Sequence, residues 1–390
     1  MKKLIVFGAV LYSIHLFAQT PVATAPMELY GDHVFVALKV DGSEPLDFIF
    51  DSGSGITVID VEAAKKLKLD MSHKESVAGA QGSIQGAKIK HNKIEMGDIK
   101  LESNVSIEAF DLSHLAISIG RKIDGIIGYD LMHHHVVRLN YDDMLLEVYG
   151  FDKFPKTGKK VSFKLHNAIP TIAAIVVLNN DQEVSGSFCV NTGAGTSMDF
   201  NTPFAKQKDI IKKTGNHYSY LVKGLGKKET KHYEGRVKSL DFGFYEFADL
   251  PIGISQVESG LQGDKKVAGI VGNKVLSRFN ITFDYKAKNL YIEPNGMIDD
   301  EFLVNCSGLD VQMSKDMSKV LIHQVQPEGP AKQAGIQSGD ELIGINGKSA
   351  SEMTLIEIED LLKVPDSTVE LEVKGNNETK KISLELENLL

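Results

Sequence analysis

The 390-residue chain is 42% hydrophobic and 24% charged, the balance of globular protein rather than disorder, and is long enough for two or three domains with cores of their own. Its net charge of −9 argues against nucleic acid or anionic membrane as a partner, since both select basic surface. The N-terminus reads as an export signal at residues 1–18. Lys2 and Lys3 form a charged head, Leu4 to Phe17 an apolar stretch shorter than the ~20 residues a spanning helix needs, and Ala18-Gln19 a cut after a small residue. The mature protein is therefore expected to be periplasmic or secreted, with no membrane contact after cleavage. No Cys follows the cut, so lipid attachment there is not expected. Cys189 and Cys306 are the two cysteines, and burial as free thiols is favoured over a disulfide.

From Met27 to about Tyr149 the pattern is strands and turns. His33 to Val40 reads as a strand, Asp41-Gly42 as a hairpin turn and Leu46 to Phe50 as the returning strand. That strand delivers Asp51 into the tight turn Asp51-Ser52-Gly53-Ser54-Gly55. Val61 to Leu67 has the spacing of a short helix. Ala78 to Gly86 is too Gly-rich for a core strand and reads as a hairpin tip. Asp124-Gly125-Ile126-Ile127-Gly128 then leads into a short helix, and Val136 to Tyr149 gives two more strands.

The same order returns between Ile169 and about Pro294. A hairpin from Thr171 to Phe188 reaches Asn191-Thr192-Gly193, 140 residues after Asp51-Ser52-Gly53, and a Gly-containing hairpin follows at Val222 to Gly226. Ala268-Gly269-Ile270-Val271-Gly272 then matches the earlier Asp124-Gly125-Ile126-Ile127-Gly128. Both copies close with a like hairpin, at Val137 to Tyr141 and Ile281 to Tyr285. A repeated order of this length is the mark of duplication. The acid of the first turn has become an amide in the second. After the polar stretch 294–300, a third unit holds a strand at Leu321 to Val325, a short helix after Gly329-Pro330, and Gly339-Asp340 leading to Ile345-Asn346-Gly347. An amphipathic Leu355 to Leu362 and a last hairpin through Gly375-Asn376-Asn377 complete it.

On the Phe-Asp-Ser-Gly turn, the Ile-Ile-Gly run and their second copy, residues 27–294 resemble the two lobes of bacterial retropepsin- or pepsin-like aspartic peptidases. The run Gly329-Pro330-Ala331, Gly335-Ile336, Gly339-Asp340 and Ile345-Asn346-Gly347 resembles a PDZ domain. The resemblance implies a mostly β, two-lobed pepsin-like acid-protease β-barrel fold, with lobes at 27–150 and 160–294, followed by an α+β PDZ domain at 302–388. It places Asp51 as the first catalytic aspartate and Asn191 at the degenerate second position. Ser52 and Thr192 would brace the turns, and Gly53 and Gly193 would allow close approach. In the PDZ unit it implies a carboxylate-capturing loop at Ser307, Gly308, Leu309 and Val311, so that protein C-termini add to a sheet edge; a PDZ fold that only packs on the lobes, with Leu309 in its core, stands beside that reading. Peptide or protein is the implied substrate, and no cofactor or metal is implied. His133-His134-His135 cannot share one face of a helix or strand, so no zinc site is expected there.

Aspartic peptidases depend on two carboxylates too close for both to ionise, which share one proton. Asn191 can donate an N–H to a carbonyl but cannot carry that proton. An aspartic endopeptidase with an atypical dyad and an inactive peptide-binding pseudopeptidase therefore stand side by side. With no like-charged neighbour, Asp51 is expected to titrate closer to an ordinary aspartate than a member of a true dyad.

Overall fold

The computed structural model describes residues 20–390 apart from 80, 81, 97, 98, 225–228, 243, 376 and 377; the export segment expected at 1–18 lies outside the described residues. No described helix is long and apolar enough to cross a membrane.

Each copy of the repeat is built on one three-strand arrangement. In the first, Leu46–Phe50 runs parallel to Gly125–Ile127, and Thr57–Asp60 pairs antiparallel with that same strand. In the second, Glu183–Val190 runs parallel to Gly269–Val271, with Met198–Phe200 antiparallel to it. The unbroken apolar runs Phe48-Ile49-Phe50 and Phe188-Cys189-Val190 suit strands covered on both faces, and all six residues are buried. Cys189 and Cys306 are free and buried, and burial pushes the Cys189 thiol up to about 12.

The closing hairpins join the lobes. Val136–Asn140 pairs antiparallel with Phe279–Asp284, Leu139 opposite Ile281. Leu145–Tyr149 and Ala23–Tyr30 extend this sheet on one side, Asn289–Pro294 and Lys159–Ser162 on the other. The result is a floor common to both lobes. Phe283, fully buried, rests on Phe50 with ring centroids 6.3 Å apart, which ties the floor to the strand that carries Asp51.

The Gly-rich hairpin differs from its expectation. His73–Gly79 and Gly82–Met96 are paired through to Gly79 opposite Gly82, so Ser83 to Gly86 is strand rather than tip; Ala80 and Gln81 lie outside the described residues. The ring of Phe110 lies where a side chain on Gly86 would stand, so packing overrides weak strand propensity there. In the second lobe the matching hairpin is His217–Lys223 with Glu229–Asp241; Leu225 and Gly226 lie outside the described residues.

The C-terminal unit has its own sheet, in the order Leu309–Met313, Val320–Val325, Glu341–Ile345, Thr368–Gly375, Glu378–Glu385. The helix Leu355–Leu361 begins with a capping box between Thr354 and Glu357. Its Leu355 and Ile358 reach a core that also holds Leu309 and Val311 and is separate from that of the lobes.

Replacing Phe283 with Ala opens a cavity under both lobes and is expected to cost about 3–5 kcal/mol in chemical unfolding of the full chain. A loss below about 1 kcal/mol would mean that the floor is not a shared core.

Candidate functional site

The two turns are held from behind in the same way. Asp51 N donates to Ile127 O at 2.8 Å and Asn191 N donates to Val271 O at 3.0 Å. Tyr129 N donates to Ser54 O at 3.0 Å, and Asn273 N donates to Ala194 O at 2.8 Å. This is the physical reason for the paired Ile-Ile-Gly and Ile-Val-Gly segments: each lies against one turn and fixes its backbone.

Across the lobes the turns lock reciprocally. Ser52 N donates to Thr192 Oγ1 at 2.9 Å, while Thr192 N donates to Ser52 Oγ at 3.0 Å. The hydroxyls pass on their own protons, Ser52 Oγ to Val190 O at 2.9 Å and Thr192 Oγ1 to Phe50 O at 3.1 Å. Both residues are completely buried, where an unpaired polar group costs far more than at the surface. Gly53 and Gly193 complete the approach. A methyl group on Gly53 would strike the Asn191 amide, and one on Gly193 would strike the Asp51 carboxyl. Only bare backbone lets the two side chains stand over each other's turns.

The side chains in the cleft are therefore an acid and an amide. Gly53 N donates to Asp51 Oδ1 at 2.7 Å, and Gly193 N donates to Asn191 Oδ1 at 2.8 Å. With its oxygen so engaged, Asn191 presents its Nδ2 hydrogens as donors. Burial pushes Asp51 from 3.8 up to about 6, against the pull of the Gly53, Gly193 and Ser54 amides. Loss of a like charge thus does not restore a solvent-like value while the group stays desolvated. Two more groups bear on this floor. His33, held low by burial, has its Nδ1 buried without a partner among the described residues. The Tyr285 hydroxyl is likewise buried without a partner among the described residues, and its titration is pushed up by burial and by the nearby Asp51 charge.

The structure brings Asp51, Ser52, Gly53, Asn191, Thr192 and Gly193 together. Ser307, Gly308, Leu309 and Val311 lie elsewhere, at the start of the C-terminal sheet. There the loop amides are engaged within the loop. Ser307 N and Gly308 N donate to Asn305 Oδ1 at 2.9 and 3.0 Å, and Leu309 N donates to Ser307 Oγ at 3.0 Å. Leu309 and Val311 are buried in the unit's core. In the His133-His134-His135 run, His133 stacks on Tyr129 with ring centroids 5.0 Å apart.

Sequence reasoning missed the polar groups beside the second turn. Lys274 follows Asn273 and lies 3.7 Å from Asp32, which holds the ammonium above its ordinary range. Asp199, raised by burial, accepts from Thr196 Oγ1 at 3.0 Å and faces His232. The available signal was in the repeat itself: Asp199 occupies the strand position that Val58 fills in the first lobe, each opposite the central residue of the Gly-containing strand.

Residues 36–131 match the family model described as aspartyl protease, and residues 299–374 match that of the PDZ domain. A solved aspartic proteinase from Irpex lacteus is similar over 71% of this chain and 98% of its own, at 16% identity and a TM-score of 0.47. Rho GTPase-activating protein 21-B of Xenopus laevis and Rho GTPase-activating protein 21 of Xenopus tropicalis are each 37% identical over 62 residues, 16% of this chain. The chain spans about 3% of the length of those curated relatives. It is thus peptidase-like in its first lobe and carries a PDZ domain towards its C-terminus.

The raised Asp51 has a sign that can be measured. A carboxyl whose folded value exceeds its unfolded one stabilises the fold below the unfolded value and loses that contribution as pH rises through the folded one. The stability of the wild type relative to Asp51→Asn is expected to fall by about 2 kcal/mol between pH 4 and pH 7. A carboxyl carbon NMR titration of Asp51 should show a midpoint near 6; a midpoint near 4 would contradict its desolvation.

Proposed function

We propose that the chain is an exported peptide-binding protein of the aspartic-peptidase type, whose cleft holds an extended peptide against Asp51 and Asn191 and whose hydrolysis runs through Asp51 alone. The observation that carries this reading is the reciprocal Ser52–Thr192 lock, which spans both lobes and aims one acid and one amide into a single cleft. Such a lock is costly to bury unless both turns must be held in register.

The chemistry open to this pair is asymmetric. Above about pH 6 the Asp51 carboxylate can take a proton from a water whose oxygen attacks the scissile carbonyl carbon. Asn191 Nδ2–H can donate to the carbonyl oxygen as it gains charge. Asp51 must then return the same proton to the departing amine nitrogen, since no second acid supplies one. Loss of one general acid or base lowers a rate by about 10²–10⁴, so turnover is expected to be slow and to rise with pH through about 6. A binding module without turnover is the second reading. The amide at Asn191 favours it, because an amide orients a carbonyl as well as an acid does and transfers no proton.

For export, the support is the Lys2-Lys3 head and the apolar stretch to Phe17. Sequencing of the mature protein from a periplasmic or culture fraction should begin at Gln19 or close to it.

A peptide library incubated with the wild type, Asp51→Asn and Asn191→Asp from pH 4 to pH 8 separates the two readings of the cleft. Slow wild-type cleavage that is lost in Asp51→Asn supports hydrolysis through Asp51. Cleavage that arises only in Asn191→Asp, with an acidic optimum, establishes the binding module.

A further inference from the structure

The PDZ domain is held against the lobes at three places. Its linker is clamped by Arg278, whose Nη1 donates to Met297 O at 3.0 Å and to Asp300 O at 2.5 Å, and whose guanidinium lies 3.8 Å from the centre of the Phe302 ring. On the second lobe, the Gln324 side chain lines up with the edge strand His217–Lys223. Its Oε1 accepts from Leu221 N at 2.9 Å and its Nε2 donates to Ser219 O at 3.0 Å. On the first lobe, the strand Leu309–Met313 packs against the helix Ser113–Ile119. Gly120, at the end of that helix, lies so close to the PDZ helix that a Cβ would stand 2.7 Å from Leu355 Cγ; Gly31 stands equally close to Ile356 Cδ1.

These contacts fall on the two walls a PDZ domain uses. Leu309–Met313 ends the sheet, and a peptide would be added beside it, between the strand and the helix Leu355–Leu361. Leu355 and Glu359 share one face of that helix. Leu355 meets Gly120, and Glu359 is raised by burial with Lys274 and Asp32 of the lobes in its field. Asp310, on the strand, is pushed up to about 7 by burial, with Glu234 of the second lobe and Glu359 adding to the effect. Meanwhile the loop amides that would take a terminal carboxylate are turned inward to Asn305 and Ser307.

The same first-lobe elements share a buried cluster with the segment just past the Asp51 turn. The helix Ser113–Ile119 packs through Leu115 and Ile119 on a buried cluster that includes Phe35, Ile49 and Val58, against which Ile56, just past the Asp51 turn, and Ile84 of the Gly-rich hairpin also pack. Its His114 Nε2 is 2.9 Å from Gly224 O on the hairpin of the opposite lobe, so one end of the cleft is bridged.

We propose that the PDZ domain is an intramolecular lid, with its peptide-binding walls docked on the first-lobe helix Ser113–Ile119 and Gly31, so that a protein C-terminus entering the PDZ groove releases the cleft. This rests on the reading that the cleft receives peptides, but its test is separate from cleavage. Ile356 lies outside the PDZ core, so Ile356→Asp loosens the dock without emptying that core; Gln324→Ala does the same at the second lobe. Hydrogen exchange of the full chain should show the Ser113–Ile119 and Leu309–Met313 amides exchanging about tenfold faster together in either variant, with Thr368–Gly375 unchanged. A pool of fluorescent decapeptides with free C-terminal carboxylates should bind Ile356→Asp about tenfold more tightly than the wild type, and should gain more than the amidated pool, which can enter only the cleft. Faster exchange in Leu309–Met313 without Ser113–Ile119 would overturn the lid. So would equal binding of the free-carboxylate pool to wild type and variant, including no binding to either, and neither result bears on whether the cleft cleaves peptides.

Discussion

Four hydrogen bonds around Ser52 and Thr192 hold this molecule's two halves in register. Each residue uses its backbone N–H and its hydroxyl, and each partner is backbone or the opposite hydroxyl. All of these groups are buried, so breaking one leaves another unsatisfied. The lock fixes where Asp51 and Asn191 stand, and the common floor under Val136–Asn140 and Phe279–Asp284 fixes the angle between the strands that carry them.

A symmetric backbone thus carries asymmetric chemistry. Matching amides support the two turns, and matching glycines let the side chains approach, yet one side chain titrates and the other does not. Burial alone keeps Asp51 near 6, where a true dyad would add repulsion between like charges. The asymmetry extends outward. Beside its turn the first lobe packs apolar residues such as Ile56, Leu115 and Ile119 onto a buried cluster, while the second places Asp199, His232 and Lys274 beside its turn. The PDZ domain lies against both lobes and buries further carboxylates, Asp310 and Glu359, at the junction.

What was legible in the sequence was whatever depends on local backbone rules. The Asp51 and Asn191 turns, their partner Gly-containing strands and the closing hairpins all repeat at one spacing, because each needs small residues and apolar runs at set positions. The third unit's turns were legible for the same reason. The Gly-rich stretch to Gly86 was misjudged because a tertiary contact, the Phe110 ring, makes glycine the fitting residue in a strand. The rise of Asp51 had no local signature, because desolvation is a property of the assembled cleft and not of the residue beside it. The docking of the PDZ domain had no local signature at all. Gly120, Gln324 and Ile356 are unremarkable where they stand, and they meet partners roughly 100 to 330 residues away in the chain. Asn305, which satisfies the loop amides, lies just before the loop and carries no pattern of its own.

The central claim is that Ser52 and Thr192 act as one unit that sets the two turns against each other. The most direct measurement is a double-mutant cycle on the full chain, with Ser52→Ala, Thr192→Val and both together, read by chemical unfolding. Each single substitution is expected to cost about 1–3 kcal/mol, and the pair to cost less than their sum by about 1 kcal/mol or more. Losses that add to within about 0.3 kcal/mol would mean that the two hydroxyls are independent and that the turns are held in register by something else.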